Sequence, residues 1–121
     1  MPFAAFLGLE GVESAADAVV LRGRWAPEHC TAAGVLHGGY LMTLADCAAA
    51  TLAFLNLPPG AHTATIEGKT NFLAAVREGT VTARAELVHK GRATVVLQVD
   101  IRDDEGRLVT RTLQTQAVIG G

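Results

Sequence analysis

The chain has 121 residues, of which half are hydrophobic and 18% are charged, and ten basic against twelve acidic residues give a net charge of −2. This size predicts a single domain over residues 1–121, and the apolar content excludes an intrinsically disordered chain. The small negative charge excludes nonspecific attraction to nucleic acid or to an anionic membrane.

The first half of the chain contains two predicted helices and one predicted strand. A short helix is predicted over residues 3–9, and a strand over residues 18–25 that ends before Pro27. Residues 38–55 form the clearest element, because they are rich in Ala, Leu and Met, and Asn56 with the Pro-Pro-Gly run beyond it stops the helix. This helix is apolar on almost every side, which is typical of a helix inside a protein.

The second half alternates between apolar and polar residues, which is the pattern of strands with one buried face. Turn-like sequences separate the runs and indicate consecutive antiparallel hairpins. The predicted strands cover residues 63–73, 79–89, 92–102 and 107–119. A buried helix needs covering on most sides, so we expect an α+β fold in which a strongly curved antiparallel sheet wraps around one long central helix.

Asp46 lies in the middle of the predicted helix, with Leu44, Ala45, Cys47 and Ala48 around it. Because an unpaired carboxylate in an apolar interior is costly, the chain must either pair this charge or use it. From the helix alone, a catalytic acid is as good an interpretation as a structural aspartate that caps a loop or pairs with an arginine.

The residues just before the helix, His37-Gly38-Gly39, form a second candidate site. Two glycines let the backbone approach a ligand closely, and the free N–H groups at a helix N-terminus can stabilise an oxyanion. The alternative is an ordinary glycine-rich loop that enters a helix. For His37 we favour a role in holding this loop by hydrogen bonds, because no carboxylate or serine lies at a recognisable triad spacing.

The run Gly34-Val35-Leu36-His37-Gly38-Gly39, followed by Leu44-Ala45-Asp46, resembles the motif G-x-x-H-G-G-x-x-x-x-L-A-D of hotdog-fold acyl-CoA thioesterases. It is most similar to the phenylacetate-pathway and 4-hydroxybenzoyl-CoA thioesterase group. Later segments, including Thr70-Asn71-Phe72-Leu73, also look like this group, so the resemblance covers residues from about 18 to 119. It implies the hotdog fold, with homodimers and often homotetramers.

The resemblance also implies roles for individual residues. The backbone N–H of Gly38 would polarise the thioester carbonyl, and Asp46 would act as nucleophile or general base, with both roles open. Where the family often has Asn or Gln, six residues before the histidine, this chain has Thr31, a shorter side chain that can donate one hydrogen bond. Thr65 best matches the assisting Ser or Thr of some members, with Thr63 as a fallback.

Helix geometry gives an independent argument for a dimer. Gly38 and Asp46 are eight residues apart. On one helix this spacing corresponds to about 12 Å of rise and about 80° of rotation beyond whole turns. One thioester carbon cannot contact both groups of the same chain. If both act on one carbonyl, Asp46 comes from a second subunit, and a two-fold dimer has two equivalent composite sites.

A compact basic turn, His89-Lys90-Gly91-Arg92, is a candidate for binding the phosphates of coenzyme A. A solvated hairpin with exposed charges explains this turn equally well from the residues alone, and the resemblance favours nucleotide contact. Together with Gly39, the turn forms the predicted substrate-binding set. No metal or redox cofactor is expected, because a thioester is already activated, and Cys30 with His29 lack the further ligands that a metal needs.

The expected location is the cytoplasm. Two cysteines are too few for a disulfide framework, and no apolar run reaches the length of about 20 residues that a membrane-spanning helix needs. The N-terminus also lacks the basic start of a signal peptide. We therefore expect a soluble protein with neither nucleic-acid nor membrane partners.

The sequence therefore predicts a homodimer, or a dimer of dimers, that hydrolyses an aromatic or a short- or medium-chain acyl-CoA to the free acid and coenzyme A. The alternative from another class is a non-catalytic acyl-CoA-binding module or ligand sensor, which needs no carboxylate in the helix. A hotdog dehydratase ranks lowest, because that chemistry typically has a catalytic histidine on the helix, and His37 precedes it.

Overall fold

The computed structural model describes all 121 residues. Its helices are α1 (Pro2–Phe6) and α2 (Gly38–Phe54), and a single 3-10 turn covers Pro27–His29. Its strands are β1 (Glu10–Ser14), β2 (Ala18–Arg24), β3 (Ala61–Phe72), β4 (Thr80–Lys90), β5 (Thr94–Asp103) and β6 (Leu108–Gly120). Neither helix has the length and hydrophobicity that crossing a bilayer requires.

The six strands form one antiparallel sheet in the order β1-β2-β4-β5-β6-β3. Hairpins join β4 to β5 and β5 to β6, whereas β3 precedes them in the chain and pairs with β6 at the far edge. Because α2 contacts every strand from β2 to β6, the sheet curves around the helix. The prediction of an α+β fold, with a curved antiparallel sheet around one long helix, is confirmed.

The core lies between α2 and the inner face of the sheet. One side of α2 is completely inaccessible to solvent at Leu44, Ala45, Ala48, Ala49 and Leu52. These side chains pack against the inward-facing apolar residues of β4 and β5, which are Val81, Ala83, Ala85, Val95, Leu97, Val99 and Ile101. Alanines on both the helix and β4 let the two elements lie close together, and burial of this apolar surface stabilises the fold.

Two elements differ from the prediction. Strand β1 was missed because all five of its residues are exposed, so no hydrophobic alternation marks it, and it exists through pairing with β2. Helix α1 is shorter than predicted, since Gly8 adopts a positive φ of 70° just beyond the helix. Glycine reaches this left-handed conformation without steric cost and is the usual residue that ends a helix.

Strand β3 forms a long, open edge of the sheet. It pairs only with β6, and none of its twelve residues is buried. Large apolar side chains are exposed on it and beside it, at Ile66, Phe72, Leu73 and, on β6, Leu113. A long edge strand with exposed apolar side chains favours pairing with another chain.

Candidate active site

The start of α2 is organised by His37. Its backbone is extended, and its ring Nδ1 accepts a hydrogen bond from the Gly39 N–H at 2.8 Å, so it caps the helix. The Gly38 N–H, in contrast, donates to no backbone oxygen of the chain. This open donor lies at the end of α2 where the helix dipole is positive, which makes it suitable for holding a developing negative charge.

Gly38 also has a close aromatic neighbour. A Cβ atom at this position would lie 3.0 Å from Cε1 of Phe72, so the aromatic ring packs directly on the glycine. Phe72 is the last residue of β3, and its exposed fraction is 52%. The end of β3 thus borders the start of α2, and a larger residue at position 38 would have to displace this ring.

Asp46 lies about two turns further along α2 and is half-buried. Its Oδ1 accepts two hydrogen bonds, one from the Thr65 hydroxyl at 3.0 Å and one from the Gln114 amide Nε2 at 2.7 Å. No lysine or arginine forms an ion pair with it, so the alternative of an arginine partner does not hold. Neutral donors therefore hold one carboxylate oxygen and leave the other open.

Two glutamines of β6 complete the surroundings of Asp46, and neither was among the residues predicted for the site. Gln116 Nε2 donates to Gln114 Oε1 at 2.5 Å and to Thr65 Oγ1 at 2.7 Å. The Thr63 hydroxyl lies 3.0 Å from Gln116 Oε1. The missed signal was a row of polar residues at every second position of the strand, because residues at that spacing share a face. The row consists of Thr110, Thr112, Gln114 and Gln116.

A β-bulge positions Thr65. The pairing of β3 with β6 shifts at Ile66, so Thr65 lies opposite Gln116, while Gly68 lies opposite Gln114. The extra residue reverses the alternation, and side chains on both sides of the bulge can face α2. A depression of about 350 Å³ opens beside Asp46, and Gly68 forms part of its wall. The absence of a side chain at Gly68 leaves the space over the Gln114 amide open.

The remaining predicted residues lie apart from Asp46. Thr31 is in the loop before α2, where its hydroxyl accepts a hydrogen bond from the Ala33 N–H at 3.3 Å. The basic turn, His89–Arg92, lies at the other end of α2, next to Asn56. Gly38, Asp46 and the basic turn are thus at the start, middle and end of a 17-residue helix. Such a helix is about 25 Å long, so one chain does not bring these three groups together.

Cys47 follows Asp46 but is not placed for nucleophilic attack. Burial raises the pKa of its thiol, and the neighbouring Asp46 charge raises it further. A thiol with a raised pKa carries little thiolate at neutral pH, so Cys47 acts as a packing residue. The structure also contains no group of three or more His, Cys, Asp or Glu side chains that could hold a metal ion.

Comparison with known proteins gives consistent matches. A family model described as the thioesterase superfamily matches residues 33–110. ComA2 of Bacillus subtilis, which is named an esterase, is 40% identical over 117 residues, covering 93% of this chain and 90% of that protein. The 1,4-dihydroxy-2-naphthoyl-CoA hydrolase of Listeria monocytogenes is 36% identical over 85 residues, covering 70% of this chain and 69% of that protein.

The structural comparison agrees. Thioesterase HI1161 of Haemophilus influenzae superposes with a TM-score of 0.93 at 31% identity, covering 98% of this chain and 82% of that chain. Some relatives are longer, and the chain spans 57% of the length of a related esterase of Vibrio cholerae. The matches to ComA2 and to HI1161 therefore extend over nearly the whole of this chain, but the matches do not extend over the whole of every relative.

Proposed function

Because the chain belongs to the thioesterase superfamily, we propose that it hydrolyses an acyl-CoA thioester to the free acid and coenzyme A in a site shared by two protomers. The predicted family and its hotdog fold are confirmed, and with them the thioester-hydrolase class at the level of the family. The observation that carries the proposal is the Asp46 carboxylate, held at Oδ1 by Thr65 and Gln114 and open at Oδ2.

In the proposed reaction, the carbonyl oxygen of the thioester accepts a hydrogen bond from the Gly38 N–H. This N–H has no backbone acceptor within the chain, which supports the assignment. Attack on the carbonyl carbon places negative charge on that oxygen, and the positive end of α2 stabilises the charge. His37 supports the step by capping the same turn through the Gly39 N–H. Gly39, whose N–H donates to His37, and Thr31, in the loop before α2, are proposed to contact the substrate.

Asp46 of the partner protomer is proposed to act in one of two ways. It attacks the carbonyl carbon, the C–S bond breaks, coenzyme A leaves as the thiolate, and water then hydrolyses the acyl-enzyme anhydride to the free acid. Alternatively, it takes a proton from a water molecule that attacks the carbonyl carbon, and the C–S bond breaks with that proton passing to the coenzyme A sulfur. In both versions the unpaired Oδ2 acts, while Thr65 keeps Oδ1 in place. The spacing of about 12 Å between Gly38 and Asp46 along one helix supports this exchange between chains, because one carbonyl cannot reach both groups of the same chain. The open edge of β3, with Ile66 exposed, supports a homodimer that continues the sheet across a two-fold axis. A dimer of dimers remains part of the proposal.

For the substrate, we propose that the basic turn His89–Arg92 contacts the coenzyme A phosphates. Lys90 and Arg92 are exposed, and neither forms an ion pair within the chain, so both are free to bind an anion. The acyl group is proposed to be aromatic or of short to medium length. The Listeria relative is named for an aromatic acyl-CoA, so aromatic thioesters are the first to test.

The test measures free-thiol release from aromatic and aliphatic acyl-CoAs with the wild type, Asp46→Asn and Asp17→Asn. Asp17 is exposed and makes no side-chain hydrogen bond or ion pair, so its variant controls for the loss of one charge. We expect wild-type turnover to fall about a thousandfold in Asp46→Asn and to remain unchanged in Asp17→Asn.

Thermal stabilisation by coenzyme A separates binding from chemistry in the same variants. We expect it to persist in Asp46→Asn, because the substitution changes one oxygen to nitrogen without altering size. Full turnover in Asp46→Asn would contradict the role of the carboxylate. Thermal stabilisation without turnover of any thioester would instead favour the non-catalytic acyl-CoA-binding module.

A further inference from the structure

We propose that Gln114 and Gln116 are positioning residues that act through Asp46, fixing Oδ1 of its carboxylate and leaving Oδ2 free to react. The inference rests on the proposed function of Asp46 and assigns to β6 a part of the site that no motif marks. Gln114 touches the carboxylate directly, whereas Gln116 touches both groups that donate to it.

The charge on Asp46 sets the direction of the whole network. An ionised carboxylate only accepts hydrogen bonds, so Gln114 must turn its NH₂ group toward it. The carbonyl oxygen of Gln114 then faces Gln116, which must supply its own NH₂ group at 2.5 Å. The remaining oxygen of Gln116 lies 3.0 Å from the Thr63 hydroxyl, whose one proton can go either to this oxygen or to the Ala117 carbonyl oxygen, 2.9 Å away. Each amide therefore has one orientation, dictated by the carboxylate at the end of the chain of hydrogen bonds.

Gln116 controls both donors of Asp46 at once. One hydrogen of its NH₂ group goes to Gln114 Oε1, and the other goes to Thr65 Oγ1 at 2.7 Å. Because Thr65 accepts from Gln116, its own hydroxyl proton is directed to Asp46, 3.0 Å away. Two directed donors on one oxygen restrict rotation of the carboxylate about its Cβ–Cγ bond. The open Oδ2 is therefore held in one direction, which an attacking or proton-abstracting oxygen requires.

The burial of two glutamine amides lowers the stability of the fold, so their presence on the inner face of β6 points to a function. Gln114 and Gln116 are exposed to only 4% and 1%. A buried amide destabilises the fold unless its polar atoms are paired, and an apolar residue on the inner face of β6 would avoid the cost. The chain nevertheless carries two glutamines on this face, and each is paired toward Asp46.

The experiment compares Gln114→Met, Gln116→Met and the double variant in steady-state kinetics with the best acyl-CoA. Methionine keeps the length of glutamine and removes the amide. Gln98→Met is the matched control, because Gln98 is a half-buried glutamine on the neighbouring β5 with no side-chain hydrogen bond. We expect each single β6 variant to lower kcat about 10- to 100-fold with KM changed less than about twofold. Gln98→Met should keep wild-type kcat and KM.

The double variant tests whether the two glutamines act in one network. If both act through Asp46, its loss of kcat is smaller than the product of the two single losses. Losses that multiply would show independent effects and overturn the inference, as would an unchanged kcat or a rise in KM alone. Gln114→Glu is the second variant should the methionine variants fail to fold. It keeps the shape but places a carboxylate against Asp46, and we expect a loss of kcat at least as large.

Asp46→Asn, measured in parallel, distinguishes failure of this inference from failure of the proposed function. If Asp46→Asn is inactive and Gln114→Met is fully active, only the positioning role of the glutamines is overturned. Full activity of Asp46→Asn overturns both. Thermal unfolding of every variant shows whether a loss of kcat arises in folded protein.

Discussion

Strands β5 and β6 lie side by side and share the same alternation, but they direct different chemistry toward the interior. The inward side chains of β5 are all apolar and buried: Val95, Leu97, Val99 and Ile101. In the middle of β6, four successive inward side chains are polar and equally buried: Thr110, Thr112, Gln114 and Gln116. Apolar packing on the core is confined to the two ends of this strand, at Val109 and Val118. One strand therefore completes the core under α2, and the next supplies the hydrogen bonds around Asp46 and β3.

The contrast between β5 and β6 shows how this small protein combines stability with a reactive carboxylate. Apolar burial stabilises the fold in proportion to area, whereas a buried polar side chain contributes little net stability even when it is paired. Substitutions on β5 should therefore change stability and leave chemistry unaltered. Substitutions in the hydrogen-bond network of Asp46 should instead lower kcat more than they lower the free energy of unfolding.

In this comparison of β5 with β6, the largest expected effect is the loss of stability in Leu97→Ala, on β5. Leu97 is completely buried in the core, and removing its side chain should lower the free energy of unfolding by about 3 kcal/mol through lost burial and a residual cavity. Urea denaturation measures this loss, and kcat is measured under conditions where the variant is folded. We expect wild-type kcat per folded protomer. A tenfold loss of kcat in folded protein would show that β5 also belongs to the site.

The next largest effect is expected in the network, in Thr65→Val. The substitution keeps the shape of the side chain and removes the hydroxyl that donates to Asp46 and accepts from Gln116. We expect kcat to fall about tenfold, which corresponds to about 1.4 kcal/mol, with KM nearly unchanged. Thr65→Ser restores the hydroxyl and should recover most of the activity. If Thr65→Ser were as slow as Thr65→Val, the methyl group rather than the hydrogen bond would be responsible.

The fold could be predicted largely from local signals. Helix α2 is apolar on nearly every side and ends before a proline pair, so its predicted bounds agree with the structure to within one residue. Five of the six strands were predicted from β-branched residues and alternation. Strand β1 carried no such signal, because its register comes from β2 alone. The weak alternation of β3 also has a physical reason: the bulge at Ile66 reverses the inward and outward positions partway along the strand.

The candidate site was predictable only where it is local in sequence. Asp46 and the His37–Gly39 turn lie within ten residues of each other and form a motif. Gln114 is 68 residues from Asp46, and its contact depends on the strand order that places β6 beside β3. The alternating polar residues of β6 were visible in the sequence. The sequence does not show which side of β6 faces the helix or which residues lie opposite its polar side chains. Both depend on the three-dimensional fold.

A third prediction concerns stability and compares two buried threonines of β6, one with a hydrogen-bonded hydroxyl and one without. The hydroxyl of Thr110 is buried without a hydrogen-bond partner, whereas that of Thr112 lies 2.8 Å from the Thr70 hydroxyl. We expect Thr110→Val to raise the free energy of unfolding by about 1 kcal/mol, because it removes an unpaired buried hydroxyl. Thr112→Val should lower it by a similar amount, since it leaves Thr70 unpaired. Equal effects of both variants in urea denaturation would contradict this difference.

The smallest expected effect is on the outer face of the same two strands, where Arg111 of β6 donates two hydrogen bonds of 2.8 Å to Asp100 of β5. The hydrogen bond from Arg111 lowers the pKa of Asp100, and the charges of Arg111 and Arg102 lower it further. A carboxylate with a lowered pKa stabilises the folded state above the pKa of the unfolded chain, about 3.9, and loses this contribution as the pH falls through the lower folded value.

Arg111→Met should therefore reduce thermal stability slightly at pH 7, because exposed ion pairs contribute little, and the difference from wild type should disappear in strong acid. Arg77→Met is the matched control: Arg77 is exposed and forms no ion pair, so its effect should not depend on pH. Thermal unfolding between about pH 2 and pH 7 measures both. Since Arg111 points away from the inner face, kcat should remain at the wild-type value. A large loss of kcat would mean that the outer face of β6 also helps to position Asp46. Both faces of β6 would then serve the site, whereas β5 would serve stability alone.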